Sequence, residues 1–375
     1  MPVVDLLVTV PIIKTARTIQ LAGLFDIPPQ DRSERTWSVD LPIEADDWKI
    51  GLIIGPSGSG KTTLARKAFG NELVTDYIWP DDKSVVDGFA PGLGIQDITA
   101  ALSSVGFSTP PAWLRPYRCL SNGEQFRATL ARALLDTNPL IAIDEFTSVV
   151  DRTVAKIGSA AVAKAIRAKS GKRFVAVTCH SDVEDWLCPD WVVEMPSGEF
   201  SRRSLRRRPA IELEIRRVHR SAWKLFQHHH YLDTKLHIAA KCFAAFWKDR
   251  AVAFASVMCT PSKVSYWREH RTVCLPDFQG VGIGNALSEF VAGVMKSTGR
   301  QYRSSTGNPA MIRYRAKSPN WRMTREPSLV KNRAMTNSKG NAKSGTYKAA
   351  NNRLTAGFEY VGPRRIDDAK MLGII

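Results

Sequence analysis

No stretch of this 375-residue sequence approaches the roughly 20 uncharged apolar residues of a membrane-spanning helix, so no membrane span is expected. The apolar N-terminus is broken by Asp5 and has no basic lead, which argues against a secretory signal and for the cytoplasm. Cysteine is scarce as well. The six present, at 119, 179, 188, 242, 259 and 274, show neither a C-x-x-C pair nor ligand-like spacing, which excludes a disulfide framework and a zinc knuckle and leaves reduced thiols. Acidic residues are short in one half only. Residues 1–200 hold 20 Lys and Arg against 25 Asp and Glu, whereas residues 201–375 hold 33 against 11, so the net charge of +17 comes from a second half carrying +22. Such asymmetry suits a polyanion partner for that half, DNA or RNA above all, or else a basic surface kept for solubility. With 44% hydrophobic and 24% charged residues, the chain is ordinary globular material long enough for two or three cores.

What is present begins with Gly55-Pro56-Ser57-Gly58-Ser59-Gly60-Lys61-Thr62, which fits G-x-x-x-x-G-K-S/T, the phosphate-binding loop. The apolar run Ile50 to Ile54 precedes it as a buried strand, and Thr63 to Ala68 reads as a helix start. Glycines at 55, 58 and 60 let backbone N–H groups turn inward on an anion at a helix N-terminus. Ser57 and Thr63 belong to the same cradle. Lys61 is placed to reach the β- and γ-phosphates of ATP, and Thr62 to hold Mg²⁺. Upstream, Val3 to Ile12 and Thr18 to Leu24 are strand-like, separated from the loop by Pro28-Pro29 and a charged turn at Asp31 to Arg35. Trp37 either stacks on an adenine or packs in its strand.

Farther along come Leu120-Ser121-Asn122-Gly123-Glu124-Gln125, the strand Leu140 to Ile143 ending in Asp144-Glu145, then Asp151, and the strand Phe174 to Thr178 followed by Cys179-His180. In this order the set resembles the ABC-class ATPases over about residues 20–198. The Leu120 to Gln125 run resembles their signature, LSGGQ in its commonest form, with Asn122 and Glu124 as departures. The resemblance implies that Asp144 contacts Mg²⁺, that Glu145 is the general base for water, that Asp151 lies in the D-loop and that His180 senses the γ-phosphate. It also implies that Ser121 and Gly123 act in trans on ATP held by a second molecule, hence a homodimer closed as an ATP sandwich. A transporter-type Q-loop is not evident; Gln96 is the available candidate.

Residues 199–209, with five arginines before Pro209, read as an Arg-rich linker. Beyond it, Ile211 to Ile215 alternates as a strand, Ser221 to Tyr231 reads as a helix, and Lys241 to Trp247 and Ala251 to Met258 are strands joined at Lys248 to Arg250. Gln279-Gly280-Val281-Gly282-Ile283-Gly284 lies between a strand and the helical Asn285 to Met295. This Q-x-x-G-x-G run, with Leu275-Pro276 before it, resembles the acyl-CoA loop of GNAT-type acyltransferases. Asn308, Ala310 and Tyr314 match that family's N…A-x-x-x-Y pattern, which implies that Tyr314 protonates a departing thiolate; the alternative is that it packs. Residues 315–356, with ten Lys and Arg against Glu326, look like a basic insertion offering Trp321 and Tyr347 for stacking on nucleic acid, unless these are core. Three adjacent histidines, His228 to His230, do not face one way on a helix, so a three-His metal site is not expected. They mark a helix end near the substrate cleft, or, by resemblance to phage Mom-type DNA-modification proteins, His230 and Tyr231 belong to an active site that uses iron.

The expected architecture is α/β: an N-terminal ABC-type P-loop ATPase domain over 1–198, the linker 199–209, and a C-terminal α+β GNAT-fold acyltransferase domain over 210–375. The resemblance implies ATP, Mg²⁺ and acetyl-CoA or another acyl-CoA as cofactors, with N-acyl transfer as the reaction, and the +22 charge of the second half suggests nucleic acid as the acceptor. Mom-like base modification, an ABC transporter's ATPase subunit, a protein or small-molecule acetyltransferase, and an ATP-switched nucleic-acid binder without transferase activity stay open.

Overall fold

Buried Val4 and Leu6 alternate with exposed Val3, Asp5 and Leu7, which makes β1 (Val3–Pro11) a one-sided strand. It pairs antiparallel with β2 (Arg32–Asp40), so the turn expected at Asp31 to Arg35 is strand instead, with Arg35 opposite Val8. The strand expected over residues 18–24 is also corrected. It is a helix, α1 (Ala16–Leu24), because Thr15 and Thr18 cap its first turn reciprocally through side chain and backbone.

The computed structural model describes residues 3–25, 27–28, 30–44, 47–169, 171–202, 209–230, 235–261, 264–330 and 353–375. They form two units that interleave along the chain: Met1–Ile78 with Asp136–Pro209, and Trp79–Leu135 with Ala210–Ile375. The segment holding the signature run thus belongs to the unit of the second half, a grouping the sequence reading lacks. Both divisions share a break after residue 209.

In the first unit, β1 and β2 are followed by β3 (Ile50–Ile54), α2 (Lys61–Phe69) and β4 (Leu73–Val74). The chain gives α3 (Ile95–Ser104), α4 (Pro110–Trp113) and α5 (Asn122–Leu135) to the other unit before returning. It then forms β5 (Leu140–Ile143), α6 (Arg152–Ala168), β6 (Arg173–Thr178), α7 (Glu184–Leu187), β7 (Trp191–Glu194) and β8 (Glu199–Arg202). The sheet order is β4-β5-β6-β3-β7-β8, parallel except for β8. All five residues of β3 are buried, as a strand covered on both faces requires. Gly51 admits the Trp191 ring so closely that a Cβ would lie 2.0 Å from it.

The second unit continues with β9 (Glu214–Val218), β10 (Lys241–Trp247), β11 (Arg250–Thr260), β12 (Tyr266–Cys274), α8 (Ile283–Lys296), β13 (Tyr302–Thr306), α9 (Pro309–Lys317), β14 (Trp321–Val330), β15 (Arg353–Tyr360) and α10 (Ile366–Met371). Its sheet order is β14-β15-β13-β12-β11-β10-β9, antiparallel except between β12 and β13. The chain is therefore a mixed α/β protein. The helix expected over Ser221 to Tyr231 is replaced by two short 3-10 turns, Arg220–Leu225 and Gln227–His229, and Tyr231 lies outside the described residues. The expected basic insertion is also reduced: residues 315–317 finish α9, Trp321–Val330 is β14, and 353–356 lie in β15. Trp321 is core, 6% exposed and edge-on to Tyr302 and Tyr360, while Tyr347 lies outside the described residues.

The parallel pair β12–β13 meets only at Trp267 with Tyr302 and Arg268 with Arg303. Immediately beyond, Glu269 is buried between the strands. Its carboxylate accepts from Thr272 Oγ1 (2.6 Å), Ser288 Oγ (2.7 Å), Ser304 Oγ and Arg315 Nη2 (2.9 Å). Burial pushes the carboxyl up, but Arg315 and the three hydroxyls outweigh it and hold it below the usual carboxylate range. A depressed carboxylate stabilises the fold above its unfolded pKa, and that contribution fades as pH falls through the folded value. Arg315→Met, which strands the buried charge, is expected to cost about 3–5 kcal/mol in chemical denaturation near neutral pH. The deficit should narrow as the pH is lowered, and Glu269→Leu combined with Arg315→Met should recover most of it.

Candidate functional site

The phosphate loop leaves the carboxyl end of β3 and enters α2 with Gly58 and Gly60 in the left-handed region, at φ 75° and 92°. At Gly55, a side chain would run into the Met195 carbonyl, 2.2 Å from a Cβ. Gly60 caps α2 without a side chain, so the amides of the first turn are left for an anion. Lys61 is 7% exposed and donates from Nζ to the Pro56 carbonyl at 2.8 Å, which holds the ammonium at the loop rather than in solvent. Ser57 is exposed and Thr63 half-buried. Ser59 is the residue of this loop that the sequence reading missed: it is 5% exposed, and its hydroxyl has no partner among the described residues. An orphaned donor in a ring of amides fits a phosphate oxygen.

Strands β5 and β6 run parallel to β3 and end at the same edge of the sheet. Asp144, one residue past β5, accepts on Oδ1 from Thr62 Oγ1 at 3.2 Å and from the Glu145 backbone N–H at 3.0 Å. A hydroxyl and a carboxylate brought together there are hard oxygen donors suited to Mg²⁺. Glu145 stands in the left-handed region at φ 49°, a conformation that costs a non-glycine residue and recurs at functional sites. Its Oε2 accepts from Ser148 Oγ at 2.5 Å. Asp151 caps α6, accepting from the Thr153 and Val154 N–H groups. His180 follows β6, half-buried, with its N–H on Thr178 Oγ1. A cleft of about 370 Å³ lies beside the loop, lined by Arg35, Trp37, Ser57 and Gly58 among others. Trp37 faces Gly60, where a Cβ would be 3.3 Å from the ring, and Arg35 donates to the Gly58 carbonyl at 3.3 Å. Arg35 also escaped sequence reasoning, because a turn was expected where β2 delivers it.

In the second unit, the signature run opens α5. Ser121 donates from its N–H and hydroxyl to Glu124 Oε2, and the Glu124 N–H returns to Ser121 Oγ, a capping box. The departure at Glu124 from the common signature thus has a local physical reason. Gly123 accepts on its carbonyl from buried Arg127, and Gln96 is exposed in the first turn of α3.

Gly280 and Gly282 are left-handed at φ 92° and 100°, and Gly282 caps α8 with open space where its Cβ would stand. That cradle fits a diphosphate. Gly284 is held against Cys274, 3.6 Å from a notional Cβ. Gln279 does not face the cradle with its amide, which bonds Ser108 and Cys274. Asn308 caps α9 through Ala310 and Met311. Tyr314 is 40% exposed, and burial together with the Glu289 carboxylate holds its phenol above the ordinary value. His230 lies edge-on to Trp223. His270 is the more perturbed histidine, pushed down to about 4 by burial and then by Arg271, Arg268 and His237. No group of three or more His, Cys, Asp or Glu among the described residues could hold a metal ion, and Tyr231, the partner of His230 in the iron site that the resemblance implied, lies outside the described residues.

No protein-family model matches the chain. It is 33% identical over 134 residues to the zinc import ATP-binding protein ZnuC of Pseudomonas aeruginosa PAO1, covering 30% of this chain and 48% of the relative. The similarity supports an ABC-type ATPase domain. The corresponding figures are 34% over 139 residues for ZnuC 2 of Hahella chejuensis, with 32% and 56% covered, and 31% over 133 residues for ZnuC of Yersinia pestis, with 30% and 52% covered. The chain therefore spans about half the length of the curated relatives it matches. A solved structure of MJ0796, a bacterial ABC transporter cassette, is 16% identical and covers 45% of this chain and 92% of that one, at a TM-score of 0.35. No helix among the described residues is long and apolar enough to cross a membrane.

The orphaned Ser59 hydroxyl gives a two-sided expectation for the ABC-type domain. Ser59→Ala should raise the melting temperature of the nucleotide-free protein, by about 1–3 kcal/mol in stability, because a buried unsatisfied group is removed. The same variant should bind ATP several-fold more weakly in a fluorescent-nucleotide titration.

Proposed function

We propose that the chain is a cytoplasmic ATPase that binds ATP with Mg²⁺ at the Gly55 to Thr63 loop, hydrolyses it, and works as a homodimer closed by nucleotide. The observation that carries this reading is the meeting of Thr62 and Asp144, with Glu145 next in the chain, at the edge of the sheet that delivers Lys61. Lys61 and the loop amides hold the β- and γ-phosphates. Thr62 and Asp144 hold Mg²⁺, which when bound neutralises charge on those phosphates. Glu145 takes a proton from the attacking water, the oxygen bonds the γ-phosphorus, and the bond to the β-phosphate oxygen breaks to release ADP and phosphate. His180 orients the γ-phosphate. Ser121 and Gly123 complete the site of a second copy.

The second unit we read as a GNAT-type acyltransferase domain in which Gly280, Gly282 and Gly284 hold an acyl-CoA and Tyr314 protonates the departing thiolate. The acceptor is nucleic acid on the basic half, with Asn308 and His230 as its proposed contacts. The sheet with its single parallel pair, and a glycine-capped α8 following β12, support this reading. Similarity to zinc import ATP-binding proteins favours a further reading, the ATPase subunit of a transporter, which a copurifying membrane partner would support.

Glu145→Gln is expected to retain ATP, to lose hydrolysis by roughly 10²–10⁴-fold, and to elute as a dimer with Mg·ATP. Undiminished hydrolysis would remove Glu145 from the role of base. For the second unit, nucleosides from cells expressing the full chain should carry a mass-shifted base that disappears with Gly282→Trp; unmodified nucleosides with both chains would turn the assignment to a protein or metabolite acceptor.

A further inference from the structure

Gln279 stands at the head of the loop read as an acyl-CoA site, yet its amide is committed elsewhere. Oε1 accepts the backbone N–H of Ser108 at 2.9 Å, and Nε2 donates to the Cys274 carbonyl at 2.9 Å. One side chain therefore ties the turn between α3 and α4 to the end of β12. The backbones also touch. Gly106, at φ 87°, lies so near that a Cβ would be 2.5 Å from the Gln279 carbonyl oxygen and 3.2 Å from the Gly280 nitrogen. Around this junction α3 packs on both α5 and α9. Arg127 of α5 lies near enough to Cys274 to oppose the burial that pushes its thiol up to about 12.

Such a junction transmits displacement. Where a side chain meets a side chain, a rotamer change absorbs a small shift; where a glycine backbone meets a peptide group, nothing is available to rotate. Moving residues 106–108 must therefore move the Gln279–Gly280 peptide, and with it the left-handed glycines that set the N-terminus of α8. Residues 106–108 belong to the segment 79–135, which also carries Ser121 and Gly123 and groups with residues 210–375 in one unit.

We propose that Gln279 is a positioning residue rather than an acyl-CoA ligand, a strut that makes the loop of residues 279–284 follow the engagement of the signature segment with ATP. This rests on the reading of both loops given above. Coupling of this kind is reciprocal: if ATP changes the affinity for acyl-CoA, acyl-CoA changes the affinity for ATP by the same factor.

The test uses the full chain with Glu145→Gln, so that ATP is retained, and follows backbone hydrogen exchange with and without Mg·ATP. Exchange over residues 279–286 should respond to ATP in this parent. Gln279→Met, which loses both bonds, and Ser108→Pro, which loses the donor, should abolish that response while the response at residues 55–63 persists. Gln279→Glu keeps the acceptor for Ser108 and should keep much of the response, a distinction that a merely structural role would not produce. Should Ser108→Pro fail to fold, the Met and Glu variants at 279 decide. A loop insensitive to ATP in the parent, or equally sensitive in Gln279→Met, would overturn the strut. Acetyl-CoA titrations in parallel should show roughly a 5- to 150-fold effect of ATP on affinity. A chain whose loop responds to ATP but binds no acetyl-CoA would retain the strut and lose the acyltransferase reading, whereas absence of any response at residues 55–63 would overturn the ATPase reading and the coupling together.

Discussion

A lysine ammonium kept almost dry, Lys61 on the Pro56 carbonyl, sets the terms for the first unit. A cation in that position has lost most of its hydration and recovers it from oxygen, here one backbone carbonyl and, in the proposed nucleotide complex, phosphate. Everything adjacent serves that exchange. The strand β3 is buried on both faces, so its carboxyl end is fixed. Glycines at 55, 58 and 60 let the chain double back where a Cβ would strike Met195 or require an unfavourable φ. The parallel neighbours β5 and β6 end at the same edge, which is why Asp144 and His180, far apart in sequence from Lys61, arrive there.

The second unit meets the same problem with the opposite sign. Glu269 is buried where β12 and β13 part, and a full set of donors, three hydroxyls and the Arg315 guanidinium, surrounds it. Those donors come from β12, α8, β13 and α9, so the carboxylate specifies how four elements stand around the gap. An apolar replacement of matched volume could be as stable; a half-replaced pair could not. The ion pair thus acts on arrangement more than on net stability, and it lies in the layer of the sheet from which the loop of Gln279 departs.

Local patterns in the sequence told the most where the chemistry is itself local. The phosphate loop, the acidic pair after β5 and the glycines before α8 are contiguous runs whose residue types allow few conformations. Reading failed where the deciding partner is distant. Asp31 to Arg35 is charged and turn-like alone, but it pairs with β1, and only that pairing brings Arg35 to Gly58. Residues 18–24 alternate well enough for a strand, yet a capping box at Thr15 starts a helix there. Gln279 is the sharpest case: its place in Q-x-x-G-x-G suggests a ligand contact, whereas its amide answers to Ser108, 171 residues away in the chain. The Ser59 hydroxyl was equally hidden, since burial without a partner has no sequence signal.

The interleaving of the two units gives the long-range contact at Ser108 its significance. Segment 79–135 is spliced into the first unit at both ends, after β4 and before β5, and these strands pair with each other. The backbone N–H of Asp144 donates to the Val74 carbonyl, so the magnesium-binding carboxylate of the proposed site sits on the very strand pair from which the segment leaves and to which it returns. Covalent continuity therefore connects the segment to the phosphate edge of one sheet, while Gly106 and Ser108 connect it to the glycine loop of the other. A chain carrying two independent enzymes would need neither link, since a linker after residue 202 alone would join them. That the second unit takes its α3, α4 and α5 from the middle of the first is the feature of this architecture that a simple tandem fusion leaves unexplained, and the proposed coupling of residues 279–284 to nucleotide would give it a reason.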